Sequence, residues 1–558
     1  MDFSARPQAH TTGPSFRELF LPKIATVLQE GYNLSNLRAD ALAGLTVAIV
    51  ALPLSMAIAI GSGVSPERGL YTAIVGGFLI SLLGGSRFQI GGPAAAFIAL
   101  IALTVDKHGY DGLVLATLIA GLLLMVAGFF RLGTYIKYIP FPVTIGFTAG
   151  IAVIIFVTQM HDFLGLRIPK EPSEFVPKLQ ALWSALPTIN PIAVVVSLLS
   201  VAIILAVRRF RPTWPALLFA VVAAAAITAG LHLDVETIGS RFGVIPSGLP
   251  SPSLPAFSLE KIRAVLPDAV ALALLGAIES LLSAVVADGM SGGRHRSNGE
   301  LVAQGIGNIA SVMFGGICAT GTIARTATNI RAGARGPISG VFHSAYLLIF
   351  VLFAMPLVAY IPLASLAAVL VVVAWSMADK ADFASLLRTS WSDAAVLLAT
   401  FLLTIFADLL TGIAVGTALG SFVFLHRMAQ AAEVNGGDSE RAKPENIVRS
   451  ESDVMVYRLS GAFFFGATSQ INLVLDRVVT PPRVFILDFS DVPFIDITAA
   501  RALGAFVQRL KKSGATVLLT GVRPHLRRPL THGGLVKPAV RYVRTIEAAL
   551  AESRAAHR

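Results

Sequence analysis

The sequence predicts an α-helical polytopic membrane protein, with fourteen transmembrane segments arranged as two halves of seven, followed by a small α/β domain. Three observations predict it. Mean hydropathy is +0.73, with 55% hydrophobic and only 14% charged residues over 558 positions, too apolar for a water-soluble globular chain. Apolar stretches follow one another between Ala41 and Phe424, where charges are sparse. From His426 onward charges become dense, and the pattern switches to short strand-like runs and an amphipathic helix.

A helix crosses the hydrocarbon core with ~20 apolar residues. Runs that reach or approach this length lie at 41–60, 69–84, 112–130, 142–160, 191–207, 215–231, 264–287, 300–316, 337–358, 362–377, 393–410 and 411–425. Two shorter runs, 93–105 and 321–330, begin at glycine breaks. They are too short to cross alone, which is how the discontinuous helices of transporters read. Counted with the others they stand third and tenth of fourteen. Subtracting seven makes them equivalent, so 41–232 and 264–427 have the element order of an inverted repeat.

Net charge is +11 at pH 7. Nucleic acid is set aside as a partner, because Lys and Arg fall mainly in short connections between apolar runs, as topology signals do. The clusters Arg131 with Lys137, Arg208-Arg209 with Arg211, Arg294 with Arg296, and Lys380 with Arg388 fall on one side under the fourteen-segment count. That side is assigned to the cytoplasm, with both termini. The first forty residues lack a continuous apolar stretch ending in a small-residue cleavage site, so they read as a retained cytoplasmic segment, 1–40. Cys318 is the only cysteine, so a disulfide within the chain and a cysteine metal cluster are excluded. No phosphate-binding glycine loop of the G-x-x-x-x-G-K-[ST] type occurs, and no cofactor or metal site is expected. His108, His161, His295 and His343 lack ligand spacing. No nucleophile, base and oxyanion set occurs together, so an enzyme is the least favoured class.

The transmembrane part is bounded at 41–427. Residues 428–452, with Asn435-Gly436-Gly437-Asp438, read as a linker, and 453–558 as a domain. Within it 454–459, 484–489 and 516–519 read as strands, and 498–512 as a helix with Ala499, Leu503, Phe506 and Leu510 on one face. Alternating strands and helices give a small α/β fold.

Misplaced polar groups single out the candidate site. Glu279 lies near the middle of an apolar run, with Ser283 four residues on and therefore on the same helical face. Intramembrane carboxylates are costly, by roughly 3 kcal/mol even on lenient scales, and usually mark an ion path. The functional reading is proton or ion coupling; the alternative is a structural interhelical hydrogen bond. Arg325 follows the break at Gly321 and falls in the first turn of the tenth, half-length helix. A helix start attracts anions through its free amides and dipole, and a guanidinium adds a planar charge suited to carboxylate or sulfate. The alternative is a topology charge grouped with Arg331 and Arg335. Gly91-Gly92-Pro93-Ala94-Ala95-Ala96-Phe97 is the counterpart in the first half, with Pro93 expected at the first helical position. Its alternative is a tight loop with small residues for packing. Pro53 interrupts the first run and Ser55 could line a path, with packing equally open to both.

These residues resemble the SulP anion-transporter family of sulfate permeases. The resemblance is carried by Ala43-Gly44-Leu45-Thr46-Val47, Pro66-Glu67-Arg68-Gly69-Leu70-Tyr71, Gly91-Gly92-Pro93, Gly276-Ala277-Ile278-Glu279-Ser280-Leu281-Leu282-Ser283 and Ala324-Arg325-Thr326-Ala327-Thr328-Asn329. The tail resembles the STAS domain of that family, with Ala462-Phe463-Phe464-Phe465 as a strand signature and Val484-Phe485-Ile486-Leu487-Asp488-Phe489 leading to Phe494-Ile495-Asp496-Ile497-Thr498. The resemblance implies a seven-plus-seven inverted repeat divided into core and gate domains that move as an elevator. It places substrate between half-helices three and ten, framed by Ala94, Ala95 and Ala96 and by Thr322, Ile323, Ala324 and Arg325. It also implies that Glu279 is closer to proton-coupled members than to those with a sodium-binding Asp. Many sulfate-type members have Pro-Gln and then Ala-Tyr in the first helix; here Pro53 is followed by Leu54 and Ala57 by Ile58. This version is similar to the bacterial branch that includes an aerobic C4-dicarboxylate importer. In the tail loop, Asp496 is followed by Ile497 where related anti-sigma antagonists carry a phosphorylated serine. Thr498 is read as a helix N-cap in preference to a phosphosite.

The expected function is secondary active, proton-coupled symport of a small anion: fumarate or succinate, sulfate, or bicarbonate. Sodium is the less favoured coupling ion. Expected partners are that anion, the proton, membrane lipids, a second copy in a homodimer, and a cytoplasmic protein at the STAS domain. The location is the bacterial inner membrane. An uncoupled exchanger or anion channel is the alternative, and a signalling protein with a sensing membrane part is a third class.

Overall fold

The computed structural model describes residues 16–168, 172, 174–211, 214–255, 258–430, 433–435, 454–464 and 482–555. The chain divides into two compact units, Met1–Thr417 and Ala418–Arg558.

In the first unit the apolar runs become helices. They are α1 (Leu34–Gly61), α2 (Pro66–Tyr71), α3 (Gly77–Leu83), α4 (Ile98–Phe129), α5 (Phe141–Leu164), α6 (Pro191–Phe210), α7 (Ala216–Gly230), α8 (Leu259–Ser291), α9 (Ser297–Met313), α10 (Ile323–Arg331), α11 (Ile338–Val358), α12 (Leu363–Met377) and α13 (Trp391–Phe406). A last helix, α14 (Leu409–Gln430), carries the chain across the unit boundary. Among the described residues eight helices are long and apolar enough to cross a membrane, and α7 and α13 are shorter apolar helices. Their outward positions are apolar too: Leu122, Val195, Phe353 and Leu357 are more than half exposed. Water would penalise such a surface; hydrocarbon does not.

Local chemistry sets the boundaries. Helix α1 starts at Leu34, ahead of the expected Ala41, because the Asn33 side chain accepts from the Asn36 N–H at 2.9 Å and caps it. Pro53 does not interrupt α1, contrary to expectation. It sits inside a continuous helix, where one missing N–H is tolerated when neighbouring groups re-satisfy the freed carbonyl. The third segment is built as expected in one respect and differently in another. A 3-10 turn, Ala95–Phe97, leads into α4, which breaks at Gly109 with φ +69°, so the short run and the 112–130 run are joined through one left-handed glycine. Pro93 is not at the first helical position. Strand β1 (Gly91–Gly92) precedes it, and the first turn begins only at Ala95. The extended pairing of β1 runs into Pro93, and the residue before a proline is biased to extended backbone.

The second unit contains a five-stranded sheet of order β3-β4-β5-β6-β7: β3 (Glu433–Asn435), β4 (Val454–Ser460), β5 (Val484–Asp491), β6 (Thr516–Thr520) and β7 (Arg541–Tyr542). Strand β3 is antiparallel to β4 and the rest are parallel. Helices α15 (Ile497–Lys512), α16 (Pro524–His532) and α17 (Ile546–Ala555) follow β5, β6 and β7. Phe485, Leu487 and Phe489 of β5 pack with Leu503 and Phe506 of α15, while Val484 and Ile486 pack with Leu518 and Ala549 in a separate cluster. A strand covered on both faces is apolar on both, and apart from the buried Asp488 the run 484–489 is, which is why it was legible.

Three tail expectations need correction. The 428–452 linker contains strand β3, and 436–453 lie outside the described residues. The Ala462–Phe465 signature is not a full strand: Phe463 makes a single parallel bridge to Ile495, and Phe465 lies outside the described residues. Thr498 is not the N-cap. Asp496 is, accepting from the Ala499 N–H at 2.7 Å, while Thr498 lies exposed within the first turn. A carboxylate in the extended position just before the helix reaches that amide; a residue already inside the helix does not.

Candidate functional site

The two chain breaks read from sequence meet in space. Strand β1 pairs antiparallel with β2 (Thr320–Gly321), in the register Gly91 to Gly321 and Gly92 to Thr320. Each strand runs directly into a helix start, Ala95 on one side and Ile323 on the other. The crossing is tied further by Thr322, whose N–H and hydroxyl both donate to the Ile90 carbonyl, at 3.0 and 3.1 Å. The Ile90 N–H donates to the Thr326 hydroxyl oxygen at 3.1 Å. Two helix starts, each with unpaired amides, are therefore held side by side.

Pro93, Ala94, Ala95 and Ala96 are all buried, as is Thr322, while Ile323 is partly exposed and Ala324 exposed. Arg325, the next residue, is buried again. Its side chain is 1% exposed, and its Nη2 donates to the Ser55 hydroxyl of α1 at 3.2 Å. Nε and Nη1 have no hydrogen-bond partner among the described residues. The guanidinium lies against the Gly92 backbone so closely that a Cβ there would meet Nη1 at 2.3 Å. The positive group thus lies between the Gly92 backbone of β1 and Ser55 of α1. Ser55 is fully buried as its partner, and Pro53, two positions earlier on α1, is buried as well.

Glu279 and Ser283 lie on α8, both buried, with Glu279 at 8% exposure. The Ser283 hydroxyl donates to Thr326 at 3.2 Å, which joins α8 to α10. Among the described residues no ion pair joins Glu279 to Arg325. The two charges are separate groups on neighbouring helices. Such an arrangement suits an electrostatic anchor and an independent proton-carrying group. Among the described residues no cluster of His, Cys, Asp or Glu could hold a metal. His108 is paired with Asp268 at 3.3 Å, and His295 with Asp288 at 2.6 Å.

Several buried polar residues escaped the sequence reading. Asp40 accepts from the Tyr32 hydroxyl at 2.6 Å and from the amides of Arg335 and Gly336, so α1 holds the turn after α10. Glu300, Gln304 and Asn308 are fully buried on α9. Glu300 stands at the edge of its apolar run and looks like a flanking charge; the spacing of four to Gln304 and again to Asn308 was the available signal.

A helical membrane unit whose two interrupted segments meet at a buried arginine, with a sheet domain after it, has the build of an anion transporter. The chain belongs to the sulfate permease family: that family matches residues 37–400, and the STAS domain matches residues 446–549. It is 39% identical to YvdB of Bacillus subtilis over 508 residues, covering 91% of this chain and 95% of that one. It is 31% identical to the bicarbonate transporter BicA of a Synechocystis strain, covering 89% and 90%. Among solved structures, the transmembrane domain of a cyanobacterial BicA matches with TM-score 0.63 and 33% identity, covering 68% of this chain and 98% of that one. SLC26A9 matches in fold with TM-score 0.81 at 20% identity, covering 96% and 92%. The protein is a multi-pass membrane anion transporter and not an enzyme.

Proposed function

We propose that the protein imports a small oxyanion by proton-coupled symport, with the anion held at the paired starts of the two half-helices. The observation that carries this reading is the β1–β2 crossing, which sets both starts beside the Arg325 guanidinium. Amide dipoles and one fixed cation suit sulfate, a C4-dicarboxylate such as fumarate or succinate, or bicarbonate. The relationship to a bicarbonate transporter keeps bicarbonate among the candidates. Glu279 is the coupling residue of this reading, with Ser283 beside it. A proton moved with a dianion reduces the charge carried against the membrane potential, which opposes entry by ~2.3 kcal/mol per charge per 100 mV. In the same proposal fourteen segments form core and gate domains that move as an elevator in the inner membrane, with cytoplasmic termini. The STAS domain there regulates transport or mediates contacts within a homodimer.

The test is uptake into proteoliposomes under an imposed pH gradient, with labelled sulfate, bicarbonate and succinate. The unaltered protein is expected to accumulate one of them only when the outside is acidic, and Glu279→Gln to lose that gradient dependence. Full gradient dependence in the variant removes Glu279 from coupling, and conductance without saturation makes the protein a channel.

A further inference from the structure

One face of α9 carries a polar stripe that no part of the transport reading uses. Glu300, Gln304, Asn308 and Ser311 are all fully buried, and their spacing places them in one row along the helix. The two ends of the row serve opposite halves of the repeat. At one end, Glu300 Oε1 accepts from Gln89 Nε2 at 2.9 Å and from Gln304 Nε2 at 2.8 Å, and Oε2 accepts from the Ser86 N–H at 3.0 Å. Ser86 and Gln89 belong to the connection that leads from α3 into β1. At the other end, Asn308 accepts from the Ala319 N–H and donates to the Ala319 carbonyl, both at 2.8 Å, and the Ser311 hydroxyl donates to the Ile317 carbonyl at 2.7 Å. Ile317 and Ala319 belong to the stretch that enters β2. Gln89 also packs over Gly321, where a Cβ would meet Nε2 at 1.9 Å.

We propose that α9 is the template that sets the register of the two half-helix starts, and that Glu300 is its principal positioning residue. Two short strands of two residues each have little stability of their own. Each is instead fixed to the same rigid helix, so their mutual register follows from the spacing of Glu300 and Asn308. The Glu300 carboxyl accepts from Gln89, Gln304 and the Ser86 N–H, so it is held as an acceptor at the centre of this network. The consequence for transport rests on the anion site lying at the half-helix starts.

The experiment compares Glu300→Gln with the exchanged pair Gln89→Glu/Glu300→Gln, which returns one carboxylate to the same hydrogen bond, in the full-length protein. Hydrogen exchange is measured over 86–97 and 317–326, and uptake of labelled sulfate, bicarbonate and succinate over a concentration series. Glu300→Gln is expected to speed exchange in both segments, including the one it does not touch, and to raise KM about tenfold with maximal rate within about twofold, as loss of one hydrogen bond to a charged group implies. The exchanged pair is expected to recover both. Faster exchange throughout the membrane unit, or in 86–97 alone, overturns the template role, as does unchanged exchange. Ala324→Phe serves as the control for the site itself. If it leaves uptake intact, the anion binds elsewhere, and the exchange data alone decide the register role. If it abolishes uptake while Glu300→Gln leaves KM unchanged, the positioning role fails and the site stands.

Discussion

Gly92→Ala tests the placement of Arg325 by crowding the guanidinium, while also putting a side chain at φ +156°, a backbone conformation that favours glycine. The added methyl would lie 2.3 Å from Arg325 Nη1, whereas ordinary van der Waals contact begins near 3.4 Å. The guanidinium must therefore move by roughly 1 Å, on the scale at which positioning effects reach about a hundredfold. It is 1% exposed, and among the described residues its one hydrogen bond, 3.2 Å to Ser55, is already long, so the shift works against that bond. Loss of a hydrogen bond to a charged group costs about 1.5–3 kcal/mol, which corresponds to an affinity loss of roughly tenfold to a hundredfold. The assay is concentration-dependent uptake in proteoliposomes, with Gly289→Ala as the control and Gly248→Ala beside it, because nothing lies within 4 Å of a Cβ at either and Gly248, at φ +136°, shares the backbone strain. Gly92→Ala is expected to raise KM by at least tenfold and Gly289→Ala and Gly248→Ala to leave it unchanged. Equal KM in all the variants, with equal amounts of folded protein, would refute the assignment of Arg325 as the anion's anchor.

Two further outcomes follow from single side chains. Asp40→Ala removes the acceptor of one hydroxyl and two amides that tie α1 to the turn after α10; at about 1–3 kcal/mol for a buried group left unpaired, it is expected to lower the thermal midpoint of the detergent-solubilised protein by several degrees, and an unchanged midpoint would show that the turn is held by other contacts. Asp496→Ala removes the N-cap of α15 and is expected to destabilise the tail by about 1 kcal/mol, seen as faster hydrogen exchange over 497–512, whereas Thr498→Ala, which removes no cap, leaves it unchanged.

The helical membrane class, the tail domain and both half-length segments were legible in the sequence because each leaves a mark along the chain. Hydropathy over a span, a glycine break in an apolar run and a largely apolar strand need no knowledge of distant residues. The pair Glu279 and Arg325 was legible for the same reason, since an ionisable group in apolar surroundings stands out wherever it folds. The side chain that Arg325 meets was not legible. Ser55 lies 270 positions away, and the pairing of Gly91 with Gly321 joins segments from opposite halves of the chain.

Local detail also yielded to tertiary context at Pro93, where strand pairing displaced the helix start that proline chemistry favours, and at Pro53, where packing carried a helix through a residue that often ends one. Glu300 shows the limit most directly. At the edge of an apolar run it is indistinguishable from a flanking surface charge, and only the approach of Ser86 and Gln89 from the other half makes it a buried acceptor. Sequence by itself determined which segments prefer hydrocarbon and where the chain must break. The tertiary structure decided which breaks face each other and which buried polar groups are satisfied, because burial and hydrogen bonding are properties of pairs brought together by folding and not of positions along the chain.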